Sequence, residues 1–206
     1  SVSMSETYAD DESPEAIAQI MRGTFEALCE RGYADLRMVD IADRTDLSKS
    51  TLHYHFDSKH DLLVAFLEFL YDDFEDELAS IAGADPGERL REVVRTVYHG
   101  DDDGREELRV AILEIESQAP YDEAFRERLR QFDRLLHDVV RSNVEEGKET
   151  GRFRQDVDAD AVATFVATAL TGAHNRRVSL GVDTSDVETM LLDYLEERLL
   201  EGDSDG

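Results

Sequence analysis

Cysteine occurs once in the 206 residues, at Cys29. That excludes an internal disulfide and a multi-cysteine metal site, and it fits a reducing compartment. Lysine is nearly as scarce, with Lys49, Lys59 and Lys148 standing against nineteen arginines. No run of about 18 apolar residues occurs, so no segment is expected to span a membrane. The first residues are acidic and polar, unlike a signal peptide, and the expected location is the cytoplasm. Strand-like alternation, internal repeats and low-complexity tracts are missing, as are a Gly-rich phosphate loop, G-x-S-x-G and His-Glu-x-x-His. An enzyme is therefore not expected, and neither a cofactor nor a metal is implied.

What the chain has in excess is acid. The formal net charge is -27 with a pI near 4.4, which taken alone argues against a nucleic-acid partner. The distribution changes that reading. From Leu36 to His60, Arg37, Arg44, Lys49 and Lys59 balance Asp40, Asp43, Asp46 and Asp57, so the whole excess lies outside this window. Two of the three lysines lie inside it. An acidic surface so poor in lysine resembles cytoplasmic proteins of salt-loving microbes, where acidic side chains keep a chain soluble in concentrated salt.

The balanced window contains the stretch DIADRTDLSKSTLHYHFDSK, Asp40 to Lys59, which reads as two short helices joined by a tight turn, then the start of a third. Ile41 and Ala42 give the first helix its apolar weight, and Leu47 closes the turn. Ser48 is a natural N-cap for the second helix, because its hydroxyl can accept a first-turn backbone N–H. Leu52 and Phe56 stand four apart and share the inward face. The opposite face is expected to carry Lys49, Ser50, Thr51, His53, Tyr54 and His55, donors suited to phosphates and base edges. His53 and His55 are about 200° apart on a helix and cannot chelate one ion, so a metal site with His60 is not favoured.

This helix-turn-helix resembles the N-terminal domain of the TetR family of transcriptional regulators, closely over residues 13–70 and in helical layout beyond. The chain departs from the family pattern at Arg37, where Thr is common, at Thr45-Asp46 in the turn, and at His53. The resemblance implies a homodimer that binds a palindromic operator in double-stranded DNA and responds to a small-molecule effector, most often as a repressor. By family position, Lys49, Thr51 and Tyr54 face the major groove. Ser48, His53, His55 and Lys59 are phosphate contacts, with Arg37 and Ser50 alongside.

The remaining chain reads as all-α, roughly nine helices: an N-terminal three-helix domain over 13–60 and a helical ligand-binding and dimerisation domain over 61–206. Ser1-Val2-Ser3 ahead of Met4 reads as an appended remnant, and residues 1–12 as a disordered acidic arm. Ser13-Pro14-Glu15 starts the first helix, which stops at Gly32. A long connecting helix, about 59–82, ends at Gly83-Ala84-Asp85-Pro86-Gly87. The loop His99–Gly104 lacks carboxylates where a calcium loop needs them. The eighth helix, about 158–177, is apolar or small nearly all round and is expected to be buried on two sides. A two-fold dimer is accordingly expected on Val162, Phe165, Val166, Ala169 and Leu170, with Leu191, Tyr194 and Leu195 of the ninth helix. Phe66, Tyr98, Phe132 and Phe165, from four helices, are candidates to line an apolar effector pocket, with simple core packing as the alternative. A rival functional reading is a ligand-binding or protein-interaction module that has lost DNA binding and keeps the motif as a folding unit.

Overall fold

The structure is a computed structural model describing residues 14–100 and 105–199, and among these residues it contains nine helices. They are α1 (Pro14–Asp35), α2 (Met38–Ala42), α3 (Lys49–His55), α4 (Lys59–Ala79), α5 (Pro86–His99), α6 (Arg105–Gln118), α7 (Glu123–Glu149), α8 (Ala159–Leu180) and α9 (Ser185–Leu199). The expected Ser13 cap, the acidic arm and most of the acidic loop before α6 lie outside the described residues. Helix starts follow local chemistry. Asp85 accepts the N–H groups of Gly87 at 2.7 Å and Glu88 at 3.1 Å ahead of α5, with Pro86 in the first turn. Asp158 accepts the Ala161 N–H at 3.1 Å at the start of α8, and Gly181, in the left-handed region, closes that helix.

The chain forms two compact units. One comprises residues up to 70 together with α6 and α7 as far as 128; the other comprises 71–100 and 129–199 of the described residues. The units therefore do not follow a single cut in sequence at 60/61. α6 belongs with α1, because Leu108, Ala111 and Ile115 bury their side chains in the same cluster as Ile20, Leu28, Leu63 and Phe66. Each such leucine or isoleucine contributes roughly 1.5–3 kcal/mol by leaving water. α1 is interrupted at Gly32, whose φ of 71° and ψ of 177° break the helical path and send Tyr33 in a new direction.

In the second unit, α5, α8 and α9 pack on one another, and Val93, Val94, Val140, Val144, Val166, Leu170 and Leu195 form part of the core. Gly147 sits in α7 against the ring of Phe153, and a Cβ there would meet that ring at 2.0 Å. Phe153 also donates its backbone N–H to the Gly147 carbonyl at 2.8 Å, so the segment after α7 folds back onto the helix it leaves.

Within one chain, α8 is buried on one side only. Val162, Ala163, Val166, Ala167, Leu170 and Ala173 are buried, whereas Thr164, Phe165, Thr168, Thr171 and Gly172 are exposed. The exposed side is composed mainly of small residues and Phe165, and Ala, Gly and Thr suit a close-packed contact and an open surface equally well.

Candidate nucleic-acid interface

α3 is only seven residues long, so its ends must be held by the chain around it. Ser48 does this at the N-terminus: its Oγ accepts the Thr51 N–H at 3.0 Å and lies 2.7 Å from Ser50 Oγ and 2.9 Å from Thr51 Oγ1. Leu52 is fully buried, and Phe56 closes the C-terminus by donating its N–H to the Leu52 carbonyl. What remains outward is Ser48, Lys49, Ser50, His53 and Tyr54, with His55 half-buried. Tyr54 is 67% exposed and packs edge-on against the His55 ring at 5.4 Å, a large amphipathic side chain held out from the helix.

Thr51 does not share that face. It is buried, and its hydroxyl faces Ser48 in the capping turn, because the position three after the cap is drawn under the helix N-terminus. Lys59 is also turned inward. Its ammonium donates to the Tyr33 carbonyl at 3.1 Å and sits 4.9 Å from the centre of the Tyr33 ring. It therefore ties the start of α4 to the end of α1, and the expectation of an outward phosphate contact at Lys59 is corrected in that respect.

α2 is organised by a carboxylate that the sequence reading passed over. Asp40 is buried and accepts the Arg37 backbone N–H at 3.0 Å, its Nε at 3.1 Å and its Nη2 at 3.1 Å. Arg31 Nε reaches the same carboxylate at 3.3 Å, and Arg44 Nη1 donates to the Asp40 carbonyl at 2.6 Å while pairing with Glu30. The Arg37 guanidinium hydrogen-bonded to Asp40 holds its carboxyl below the usual carboxylate range, against the opposing effect of burial. The signal was legible: an acid three residues after a helix start can reach back to the N-cap amide. Arg37 remains 66% exposed at its side chain, but two of its donors are engaged with Asp40.

Behind the motif, Tyr33 is held from several sides. Its N–H donates to the Glu114 carboxylate of α6, its ring meets Phe125 edge-on at 6.2 Å, and its carbonyl takes Lys59. His60, instead of facing His53 and His55, lies 2.8 Å from the Asp122 carboxylate and 4.9 Å from the Phe125 ring. Asp122 is held below the usual carboxylate range chiefly by the Phe125 backbone N–H it accepts, then by His60. No signal within the motif pointed to Glu114, which lies 81 residues from Tyr33.

The other predicted site residues separate. Phe66 is fully buried in the core of the first unit, 6.3 Å from the Phe69 ring. In the second unit, Tyr98 is buried with its hydroxyl 3.0 Å from Thr184 Oγ1, and Phe132 packs between Tyr71 and Phe74. Phe165 is 46% exposed and lies 4.8 Å from the Tyr194 ring. Phe66 thus belongs to the first unit and the other three to the second, each with an aromatic or hydrogen-bonding neighbour of its own. A cavity of about 250 Å³ in the second unit is lined by other residues, among them Arg154, Val157, Ala161, Val162, Tyr194 and Leu199. Of the residues expected at a dimer interface, Val162, Val166, Leu170, Leu191 and Leu195 are buried in the chain's own core, while Phe165 is exposed and Ala169 and Tyr194 are half-buried. No helix among the described residues is long and apolar enough to cross a membrane.

Residues 20–66 match the family described as bacterial regulatory proteins of the tetR family, and residues 86–200 match the BetI-type transcriptional repressor C-terminal family. A TetR transcription regulator from Haloarcula marismortui is 35% identical, with a TM-score of 0.84 over 91% of this chain and 100% of that one. A regulator structure from Saccharomonospora viridis in complex with choline is 27% identical, with a TM-score of 0.76 over 92% of this chain and 100% of that chain. The transcriptional repressor AcnR of Corynebacterium diphtheriae is 27% identical over 88% of this chain and 90% of its own length.

Proposed function

The chain belongs to the TetR family of helix-turn-helix transcriptional regulators, and on that premise we propose that it is a ligand-responsive repressor that binds a palindromic operator as a homodimer in the cytoplasm. The observation that carries this reading is the capped α3, which leaves Lys49, Ser50, His53 and Tyr54 exposed on one short helix whose other face is locked by Leu52. With α3 in a major groove, Tyr54 reaches base edges, Lys49 in the first turn faces the groove and its phosphate wall, and Ser48, His53 and His55 take phosphates. DNA binding is assigned to residues 13–60, and dimerisation and effector binding to 61–206.

The exposed side of α8 and α9 supports a two-fold contact. Phe165 and Met190 are 46% and 67% exposed, and Tyr194 packs beside Phe165, which gives the open side of these helices large apolar groups to offer a second copy. The effector is a small molecule, as the choline complex of the Saccharomonospora viridis protein illustrates for a relative. Its binding would change the population of DNA-competent dimers. The lysine-poor acidic surface fits work at high salt, in keeping with the Haloarcula marismortui relative.

The test is selection of bound fragments from the source genome at high salt. An inverted repeat recovered reproducibly, and bound by a dimer in light scattering, is the expected result. Recovery of no sequence above a scrambled control would favour the reading of a module that has lost DNA binding.

A further inference from the structure

We infer that Lys49 is the one cationic anchor this interface brings to the phosphate backbone, and that the neutral donors around it make operator binding persist into molar salt. The inference rests on the DNA-binding reading above. Five cations occur between residues 31 and 60, and four of them are spoken for within the chain. Arg31 and Arg37 converge on the Asp40 carboxylate at 3.3 and 3.1 Å, Arg44 pairs with Glu30, and Lys59 is held by the Tyr33 carbonyl and ring. Lys49 alone of the five is exposed and makes no ion pair with any described residue. It stands in the first turn of α3 between Ser48 and Ser50, whose hydroxyls can donate to phosphate without carrying charge.

Charge pairing of this kind has a thermodynamic signature. Each cation that neutralises a phosphate releases counterions and adds about -0.9 to the slope of log K against log salt. If Arg37, Arg44, Lys49 and Lys59 all did so in each subunit of a dimer, the slope would be about -7, and a tenfold rise in salt would cost about 10⁷-fold in affinity. With Lys49 alone the slope is about -2 and the same rise costs about a hundredfold. Swinging Arg37 to a phosphate would leave the buried Asp40 carboxylate short of a partner, which opposes that alternative. The acidic surface outside the window adds a repulsion that salt screens, and this shallows the slope further.

The experiment measures affinity for a duplex carrying the selected inverted repeat, from 0.2 to 2 M KCl at pH 8, with a scrambled duplex as control. The full chain should give a slope near -2. Lys49→Gln should bring it close to zero, Lys49→Arg should restore it, and Arg37→Gln and Lys59→Gln should leave it unchanged even where they lower absolute affinity. Circular dichroism on each variant separates lost folding from lost contact. A slope steeper than about -4, or a Lys49→Gln slope equal to that of the unmodified chain, overturns this inference while the DNA-binding reading stands. Failure to select any duplex overturns both.

Discussion

In the first unit a buried carboxylate, Asp40, gathers Arg31 and Arg37, while Glu114 holds the Tyr33 N–H and Asp122 holds His60. In the second unit the comparable work is done by shape: the Phe153 ring lies against Gly147 of α7, and α8 lays Val162, Val166 and Leu170 into an apolar layer. The first unit must present short helices α2 and α3 that could not hold themselves, and directional polar bonds set angles that apolar contact leaves loose. The second unit adds polar ties such as Tyr98 to Thr184 and Arg89 to Asn143, but its helices are long enough for complementary apolar faces to set most of the packing. On the inference drawn above, internal pairing would also keep the motif's cations from unselective phosphate contacts, so the device that fixes its geometry would lower its salt sensitivity as well.

The comparison can be broken most forcefully at α8. Leu170→Glu places a charge in the second unit's apolar layer and should cost roughly 4 kcal/mol or more, read as a collapse of the denaturation midpoint and insoluble protein. Phe165→Glu, five residues away on the exposed side, should leave a folded chain whose dimer is weakened roughly a hundredfold in sedimentation. Equal damage from the two would show that the inner and outer sides of α8 are not as distinct as described.

In the first unit, Ser48→Ala removes the hydroxyl that caps α3 and should cost about 1 kcal/mol of stability. The accompanying fall in operator affinity should exceed what that lost stability explains, because the same residue is proposed to touch phosphate. The smallest effect is expected at Glu116, whose carboxyl is pushed above its usual range by burial. A raised folded-state value means the neutral form suits the fold, so the associated stability is complete below the ordinary glutamate range and is lost as pH rises through the raised value. Glu116→Gln should therefore be slightly more stable than the parent at neutral pH, with the difference vanishing in acid. Melting curves across that pH range read the sign directly, and a destabilised variant at neutral pH would mean that Glu116 has a partner worth keeping.

Much of this was legible before any contact was known. The Ser48 cap, the inward Leu52, the punctuation at Gly32, Asp85-Pro86 and Asp158, and the outward Lys49, Ser50, His53 and Tyr54 all follow from spacing and residue type, and the structure has them so. Thr51 was misplaced because a three-residue spacing from the cap outweighs its polarity. For the aromatics Phe66, Tyr98, Phe132 and Phe165 the sequence left pocket lining and core packing open, because large apolar side chains look alike in sequence whether they line a space or fill one.

Residue order and chemistry alone point to roughly nine helices, matching the nine among the described residues, to several of their caps, and to which short helix carries donors outward, because caps and periodicity act over a few residues. They leave open the fate of each cation and the open side of α8. Whether Lys59 points to DNA or to Tyr33, and whether Arg37 answers a phosphate or Asp40, depends on partners brought close by packing. The Tyr33 to Glu114 bond spans 81 positions, and the ring that fills the space beside Gly147 comes from beyond the end of its helix. Such contacts compete by distance in space, a quantity that a linear pattern does not contain.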